Sequence, residues 1–408
     1  MRVDDAPIVD RTRHSVTTDR AVGLARRAEG PQRATLLELF LDLVFVAALA
    51  LTSQKLATDM TWAGVFQTLL LLLAIWWVWS ITALTTDLYL PQRPPIFLMT
   101  ISVMFGTMLM VAALPAAFSR DGLVFAGAYV AIHLGRSLFL TPALQGRQAR
   151  RHAARFLVWF SASAVPWLLG AIVTGTARAA LWTAALALDY GAAWLRYPTP
   201  WLGRIPRSQY RIAAEHLAER YQQFFTLALG DLILVTTLTY AGSGFAVDRT
   251  VAFVVAFATT VLLWQIYVQR AGALLQAAIE SSRDPGRLMR SAPYTHLLMV
   301  AGVVASAAGA ETVIRHPTGD TTLGLVGIVL GGPALFLAGR ARFEYEVFSR
   351  ISPSRLIALL VLAVAVPAMT HVPPLGVAIV GNLVLAGIAA TDLLRAHGRP
   401  PEAPSPAL

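Results

Sequence analysis

A few ionisable side chains stand where a very apolar chain has little reason to carry them. Glu38 and Asp42 are four residues apart, so on a helix they share one face. Like charges at that spacing require a proton, a cation or an arginine between them. Asp189-Tyr190 interrupts another apolar stretch. His216, Glu219 and Arg220 open a further one, with Asp231 about three turns beyond Arg220. His133 and Arg136 share a face elsewhere, and Gln265, Tyr267, His296, Glu311 and Asn382 complete the polar set.

Two chemistries suit these residue types. Carboxylates brought together from several helices, Glu38, Asp42 and Glu219 foremost, could hold Mg²⁺, an ion that takes oxygen ligands and bridges to phosphates. Arg136, Arg220 and His216 could then bind a diphosphate, and Trp76, Trp79 or Tyr267 could face a carbocation. The catalytic candidates are Asp42, Glu38, Glu219, Asp189 and Asp231, any of which could instead deliver a proton as a neutral acid. Each also has a plainer reading. Glu38 and Glu219 could pair with Arg136 or Arg220 and fix helix packing, His216 could sit at an interface, and the tryptophans could form packing or an interfacial belt. Asp42 and Asp189 fit that reading less well, since each lies at least a turn inside. No Asp-Asp-x-x-Asp run is present.

The elements that must position these residues are membrane helices. Of 408 residues, 56% are hydrophobic and 14% charged, against ~25% charged in an average soluble domain. Apolar runs of about 20 residues recur, each long enough to cross a bilayer. The fold class expected is an all-α, polytopic transmembrane bundle. Twelve spans are predicted at 34–53, 62–83, 96–116, 122–142, 154–174, 177–195, 217–240, 248–270, 293–314, 321–340, 355–371 and 373–394. Cysteine is absent, which excludes disulfides, thiolate nucleophiles and iron–sulfur ligation. No Walker loop, His-Glu-x-x-His zinc signature or Gly-x-Ser-x-Gly elbow is found, so ATP-driven transport and the common hydrolases lack support.

The net charge of +10 reads as topology rather than nucleic-acid binding, because the arginines lie between apolar runs. With a cytosolic N-terminus, 26 of the 33 basic residues fall on cytosolic segments and five on outer ones, leaving Arg136 and Arg220 within or at the ends of spans. The expectation is a multi-pass protein of the inner (plasma) membrane with both termini cytosolic. Its segments are a disordered tail (1–33), a first six-span half (34–195), a cytosolic linker (196–216), a second six-span half (217–394) and a disordered tail (395–408). Depth then follows: apart from Asp231 near the middle and Glu311 near the outer end, the ionisable groups gather in the cytosolic half. The pattern predicts one polar site open to the cytosol beneath an apolar roof.

The halves resemble each other. Gly135-Arg-Ser-Leu-Phe-Leu140 matches Gly332-Pro-Ala-Leu-Phe-Leu337, and Ala164-Val-Pro166 matches Ala365-Val-Pro367, in corresponding spans. Six spans per half is even, so duplicated copies would share orientation about an axis along the membrane normal.

The segment Glu38-Leu-Phe-Leu-Asp-Leu-Val-Phe-Val46, with His216-Leu-Ala-Glu-Arg-Tyr221 and Gly230-Asp231, resembles the bacterial low-temperature-requirement A family, and the likeness runs from about Leu36 to Asp392. That family usually reads Glu-Leu-Phe-Phe-Asp, where this chain has Leu41, and Leu-Gly-Glu-Ser, where it has Leu229-Gly230-Asp231-Leu232. The resemblance implies an integral membrane protein, and its name refers to a growth phenotype rather than a reaction. Two functions follow from the residues. One is a membrane-embedded enzyme on an isoprenoid diphosphate or similar hydrophobic lipid, acting as a cyclase, lyase or transferase. The other is a proton-coupled secondary transporter of a small hydrophobic solute, favoured by the duplicated halves, Asp231 and the Pro166/Pro367 pair. A non-catalytic scaffold is the third reading. The partners expected are the lipid bilayer and a hydrophobic small molecule, with no nucleic acid.

Overall fold

The computed structural model describes residues 34–143, 147–206, 214–268, 272–282, 285–397 and 402–406. Thirteen helices are described: α1 (Leu36–Thr58), α2 (Trp62–Leu88), α3 (Pro94–Ala113), α4 (Gly122–Ala143), α5 (Arg147–Ile172), α6 (Gly175–Trp194), α7 (Ala214–Ala241), α8 (Val247–Val268), α9 (Gly272–Ser281), α10 (Pro285–Arg315), α11 (Leu323–Phe348), α12 (Pro353–Met369) and α13 (Pro374–Ala396). Each of the twelve expected spans falls on one helix, and the short α9 is additional. Ten of the helices are long and apolar enough to cross a membrane. The protein is an all-α polytopic bundle, and no strand occurs among the described residues. The tail expected over 1–33 lies outside them.

Local chemistry sets the helix starts. Thr35 and Glu38 form a capping box, each side chain bonded to the other's backbone. Thr61 and Thr322 cap α2 and α11, and proline occupies the first turn of α3, α12 and α13. Pro166, Pro293, Pro333 and Pro367 lie inside helices, which membrane helices tolerate when neighbours supply the lost bonds.

Small residues allow close helix approach between α10 and α11. A Cβ on Gly302 would fall 2.5 Å from the Phe336 backbone nitrogen, and one on Gly332 would fall 2.6 Å from that of Ser306. This is the close backbone contact that small residues permit in lipid, where packing rather than hydrophobicity drives association.

Helices α1 and α7 lie side by side. Glu38 meets His216 and Asp42 meets Arg220, both pairs separated by 178 residues. A constant separation means parallel helices in register, since antiparallel neighbours would keep a constant sum instead. The first turns of both helices therefore sit at one end of the bundle, the arginine-rich end. Helix α1 also packs on α10 and α2, while Phe40 and Leu43 on its other face are exposed.

Several arginines read as surface topology signals are in fact buried, each for a stated polar reason or none. Arg178 donates to the carbonyls of Gly170, Ala171, Val173, Ala117 and Ser119, closing helix ends that would otherwise face lipid unpaired. Arg155 donates to the carbonyls of Leu202 and Gly203 in the linker turn. Arg340 and Arg355 are fully buried near the arginine-rich end. Helix α13 runs to Ala396, two residues into the C-terminal tail expected over 395–408. Beyond it, Ser405 N–H donates to Val347 O (3.0 Å) and Glu402 pairs with Arg350.

Candidate functional site

The parallel pair α1–α7 and the end of α2 build the densest polar cluster. Arg220 Nη1 and Nη2 donate to Asp42 Oδ2 (2.8 Å) and Oδ1 (2.7 Å), a two-pronged fork. Trp79 Nε1 donates to the same Asp42 Oδ1 (2.9 Å). One turn nearer the arginine-rich end, His216 stands between two carboxylates, with Nδ1 2.9 Å from Asp87 Oδ1 and Nε2 3.1 Å from Glu38 Oε1. Glu38 also accepts from the Thr35 N–H (2.8 Å) and hydroxyl (2.9 Å), so one carboxylate both starts α1 and ties it to α7. Glu38, Asp42, Asp87, His216 and Arg220 all have 0% exposure.

Aromatic rings seal this cluster. Trp76 and Trp79 lie 4.9 Å apart, Trp79 packs on Phe224 at 4.3 Å and Tyr221 at 5.4 Å, and Phe45 meets Phe224 at 6.1 Å. Burial of charge on this scale is costly unless every charge is paired; here Asp42 forms an ion pair with Arg220, and Glu38 and Asp87 share the His216 imidazole.

The other expected residues do not join it. Glu219 turns to the Ala34 N–H (3.0 Å) and the Gln223 amide (3.1 Å). Among the described residues no three His, Asp or Glu side chains are arranged to hold a metal ion. Glu38, Asp42 and Glu219 are thus not gathered as a trio of ligands, and both oxygens of Asp42 are already engaged. Asp189 lies in a separate pocket, accepting from the Tyr129 hydroxyl (2.7 Å) and weakly from Trp167 Nε1 (3.5 Å). Arg136 donates to Thr82 Oγ1 (3.0 Å) and lies 2.7 Å from His133 Nδ1. Asp231 is buried deeper, in electrostatic reach of Ser53 and Glu311, and Glu311 pairs with Arg315 at the far end. Tyr267 stacks on Phe225 at 3.8 Å, and His296 stacks on Tyr221 at 4.4 Å. The single open polar site expected from the sequence is thus several enclosed sites walled apart by aromatic rings.

Two partners and one further cluster escaped the sequence reading. Asp87 is the second partner of His216, and its only signal was an acid ending a very apolar span. Tyr129 holds Asp189. On α11–α13, Arg355 bridges Glu344 (3.2 Å) and Asp392 (2.5 Å), with Arg340 beside them. An apolar groove of about 420 Å³ opens between α3 and α4, lined by Leu98, Phe105, Ile132 and Phe139 and reaching Arg136.

The sequence comparisons agree with this architecture. The family model described as bacterial low temperature requirement A protein matches residues 33–390. An uncharacterized protein of Rhizobium meliloti (strain 1021), RA0937, is 34% identical over 328 residues, covering 79% of each chain. No solved structure matches the chain. A match over nearly the entire helical bundle, with the α1 and α7 motifs inside it, places this multi-pass membrane protein in the bacterial low temperature requirement A family.

Proposed function

We propose that this protein is a proton-coupled secondary transporter of a small hydrophobic or amphipathic solute. In this reading the Glu38–His216–Asp87 and Asp42–Arg220 contacts clamp α1 and α2 of the first half to α7, which leads into the second, at the arginine-rich, cytosolic end. The observation that carries it is His216. It stands in the first turn of α7, at the junction of the linker and the second half, and sits, fully buried, between carboxylates of α1 and α2. Two parallel halves packed through α1 and α7 are what a duplicated transporter would use for rocking motion about the seam between them.

The energetics fit a switch. Protonating one carboxylate of a buried pair leaves its cation uncompensated, which costs about 3–5 kcal/mol. Taking a two-state equilibrium from 1:99 to 99:1 needs about 5.5 kcal/mol, so one or two protons suffice. Asp231 lies eleven residues beyond Arg220, about 16 Å along α7. Its carboxyl faces Ser53 and Glu311 and forms no ion pair among the described residues. It is the second proton station, with Glu311 beyond it toward the far face.

The enzyme reading draws less support. Arg136 and Arg220, the expected diphosphate ligands, already donate to Thr82 and Asp42. What favours it is the apolar groove beside Arg136, which has room for a hydrocarbon chain.

The chain has no cysteine, so spin labels can be placed freely. Labels at Gln92→Cys and Arg395→Cys would report the gap between the halves by pulsed electron resonance. The distance distribution should lengthen between pH 8 and pH 5, and Glu38→Gln with Asp87→Asn should hold it long at both. An unchanged distribution in all cases would remove the switch. Vesicles containing a pH-sensitive dye, challenged with geranyl phosphate or decanoate, should show solute-evoked proton movement. Conversion of prenyl diphosphates to new products, without proton movement, would establish the enzyme instead.

A further inference from the structure

Arg340 differs from every other fully buried arginine described here. It sits on α11, eight residues before the helix ends, with 0% exposure. None of its three guanidinium nitrogens has a hydrogen-bond partner among the described residues. The nearby acids, Glu344 and Asp392, both turn onto Arg355. They balance the field of the two arginines at longer range and supply Arg340 with no hydrogen bond. By contrast, Arg220 has its fork to Asp42, and Arg178 has five carbonyls.

A guanidinium carries five N–H donors in a rigid planar fork and does not lose its charge in proteins. Leaving such a group dry and unbonded is among the costliest arrangements a core can hold. The surroundings are aromatic. The guanidinium carbon lies 5.1 Å from the centre of Phe343. His296 meets Phe343 edge-on at 6.1 Å and Tyr267 at 6.3 Å. Arg340 is within electrostatic reach of both Tyr267 and His296, and Phe225 bridges Tyr267 and Phe336 at 3.8 and 5.7 Å. A buried forked cation with no acceptor among the described residues, set among aromatic rings, matches an oxyanion attached to an apolar body.

We propose that Arg340 anchors the phosphate head of an amphipathic ligand, with Tyr267 and His296 beside it and the aromatic wall taking the start of its chain. The proposal does not rest on the proton-coupled cycle, since a bound phosphate amphiphile would serve an enzyme or a scaffold equally. It moves the anion site from Arg136 and Arg220, where the sequence suggested it, to the fully buried arginine that has no acceptor among the described residues.

The test uses the full chain in a neutral detergent, with dodecyl phosphate as probe and dodecyltrimethylammonium as the matched cation. Dodecyl phosphate should bind once per chain by native mass spectrometry and raise the melting temperature, and the cation should do neither. Arg340→Met should weaken that binding at least about tenfold, as loss of charge-assisted hydrogen bonds implies, and should melt no lower than wild type without ligand. Should the methionine variant fail to fold, Arg340→Lys, which keeps the charge and loses the fork, should still show the weakened binding. Phosphatidylglycerol retained through purification and lost in the variant would identify a membrane headgroup as the source. Stabilisation by inorganic phosphate alone would identify a soluble phosphate. Equal stabilisation of wild type and variants by dodecyl phosphate, or a variant that melts lower with no probe effect on wild type, would overturn the proposal, because Arg340 would then be satisfied by the chain or by water.

Discussion

Removing the Asp42 carboxylate should destabilise the bundle more than removing both members of its ion pair. In Asp42→Asn the Arg220 guanidinium keeps its burial and loses a charged acceptor on two prongs, at 2.7 and 2.8 Å, and Trp79 loses a charged acceptor at 2.9 Å. Charges about 4 Å apart attract by roughly 4 kcal/mol at an effective dielectric of about 20. Breaking a buried pair from one side typically costs about 3–5 kcal/mol, so the two routes agree. Arg220→Met should cost a similar amount, leaving Asp42 enclosed with only the indole. The double variant Asp42→Leu/Arg220→Met removes both charges and should recover most of the loss, because apolar replacement of a buried pair is often neutral or better. Reversible unfolding of the chain in mixed micelles, run as a double-mutant cycle, measures the coupling directly. A coupling of several kcal/mol is expected. If each single variant cost under about 1 kcal/mol and the effects added, the pair would be solvated in the membrane protein, as surface pairs are, and the enclosed-clamp description would fail. The double variant carries a second reading: restored stability without solute-evoked proton movement would separate the clamp's function from its part in folding.

Other outcomes follow from the same geometry. His216→Gln keeps one polar contact but cannot carry a charge between Glu38 and Asp87, so pH-dependent opening should vanish while the chain still inserts, as read by the spin-label distances. Gly302→Leu must displace the Phe336 backbone 2.5 Å from the new Cβ, and overpacking of this kind costs about 1–3 kcal/mol or more; a melting temperature equal to wild type would mean α10 and α11 can slide apart. Arg178→Ala strips the donors from five carbonyls at the far end of α5 and the turn after α3, at about 2–3 kcal/mol after partial rewetting, and hydrogen exchange should rise there and not at the α1–α7 cluster. Thr35→Ala removes the α1 cap, costing about 1 kcal/mol, and should loosen Glu38 as well, because the same carboxylate accepts from Thr35 and faces His216; a change in stability with no change in the pH response would separate those two roles.

The positions of the twelve long helices were legible in the residues alone, and ten of them are long and apolar enough to cross a membrane. Whether twenty apolar side chains can sit in lipid is a local property of each run, and the arginines between runs report the alternation independently. The Thr35-x-x-Glu38 cap is equally local and could have been read from its spacing. So was the shared face of Glu38 and Asp42, with its implied need for a compensating charge. The identity of that charge was not legible. Arg136 and Arg220 were equal candidates, and only the parallel, in-register docking of α1 on α7 puts Arg220 against Asp42 and brings Asp87 to His216. The tertiary structure likewise decided which arginines are signals at the surface and which are buried. Arg178 and Arg340 look alike as loop-flanking cations, yet one meets five carbonyls and the other meets rings. Run length and residue type act along one helix, but partnership depends on how each helix is turned about its axis and which neighbour it faces, and that is set by packing across segments more than a hundred residues apart.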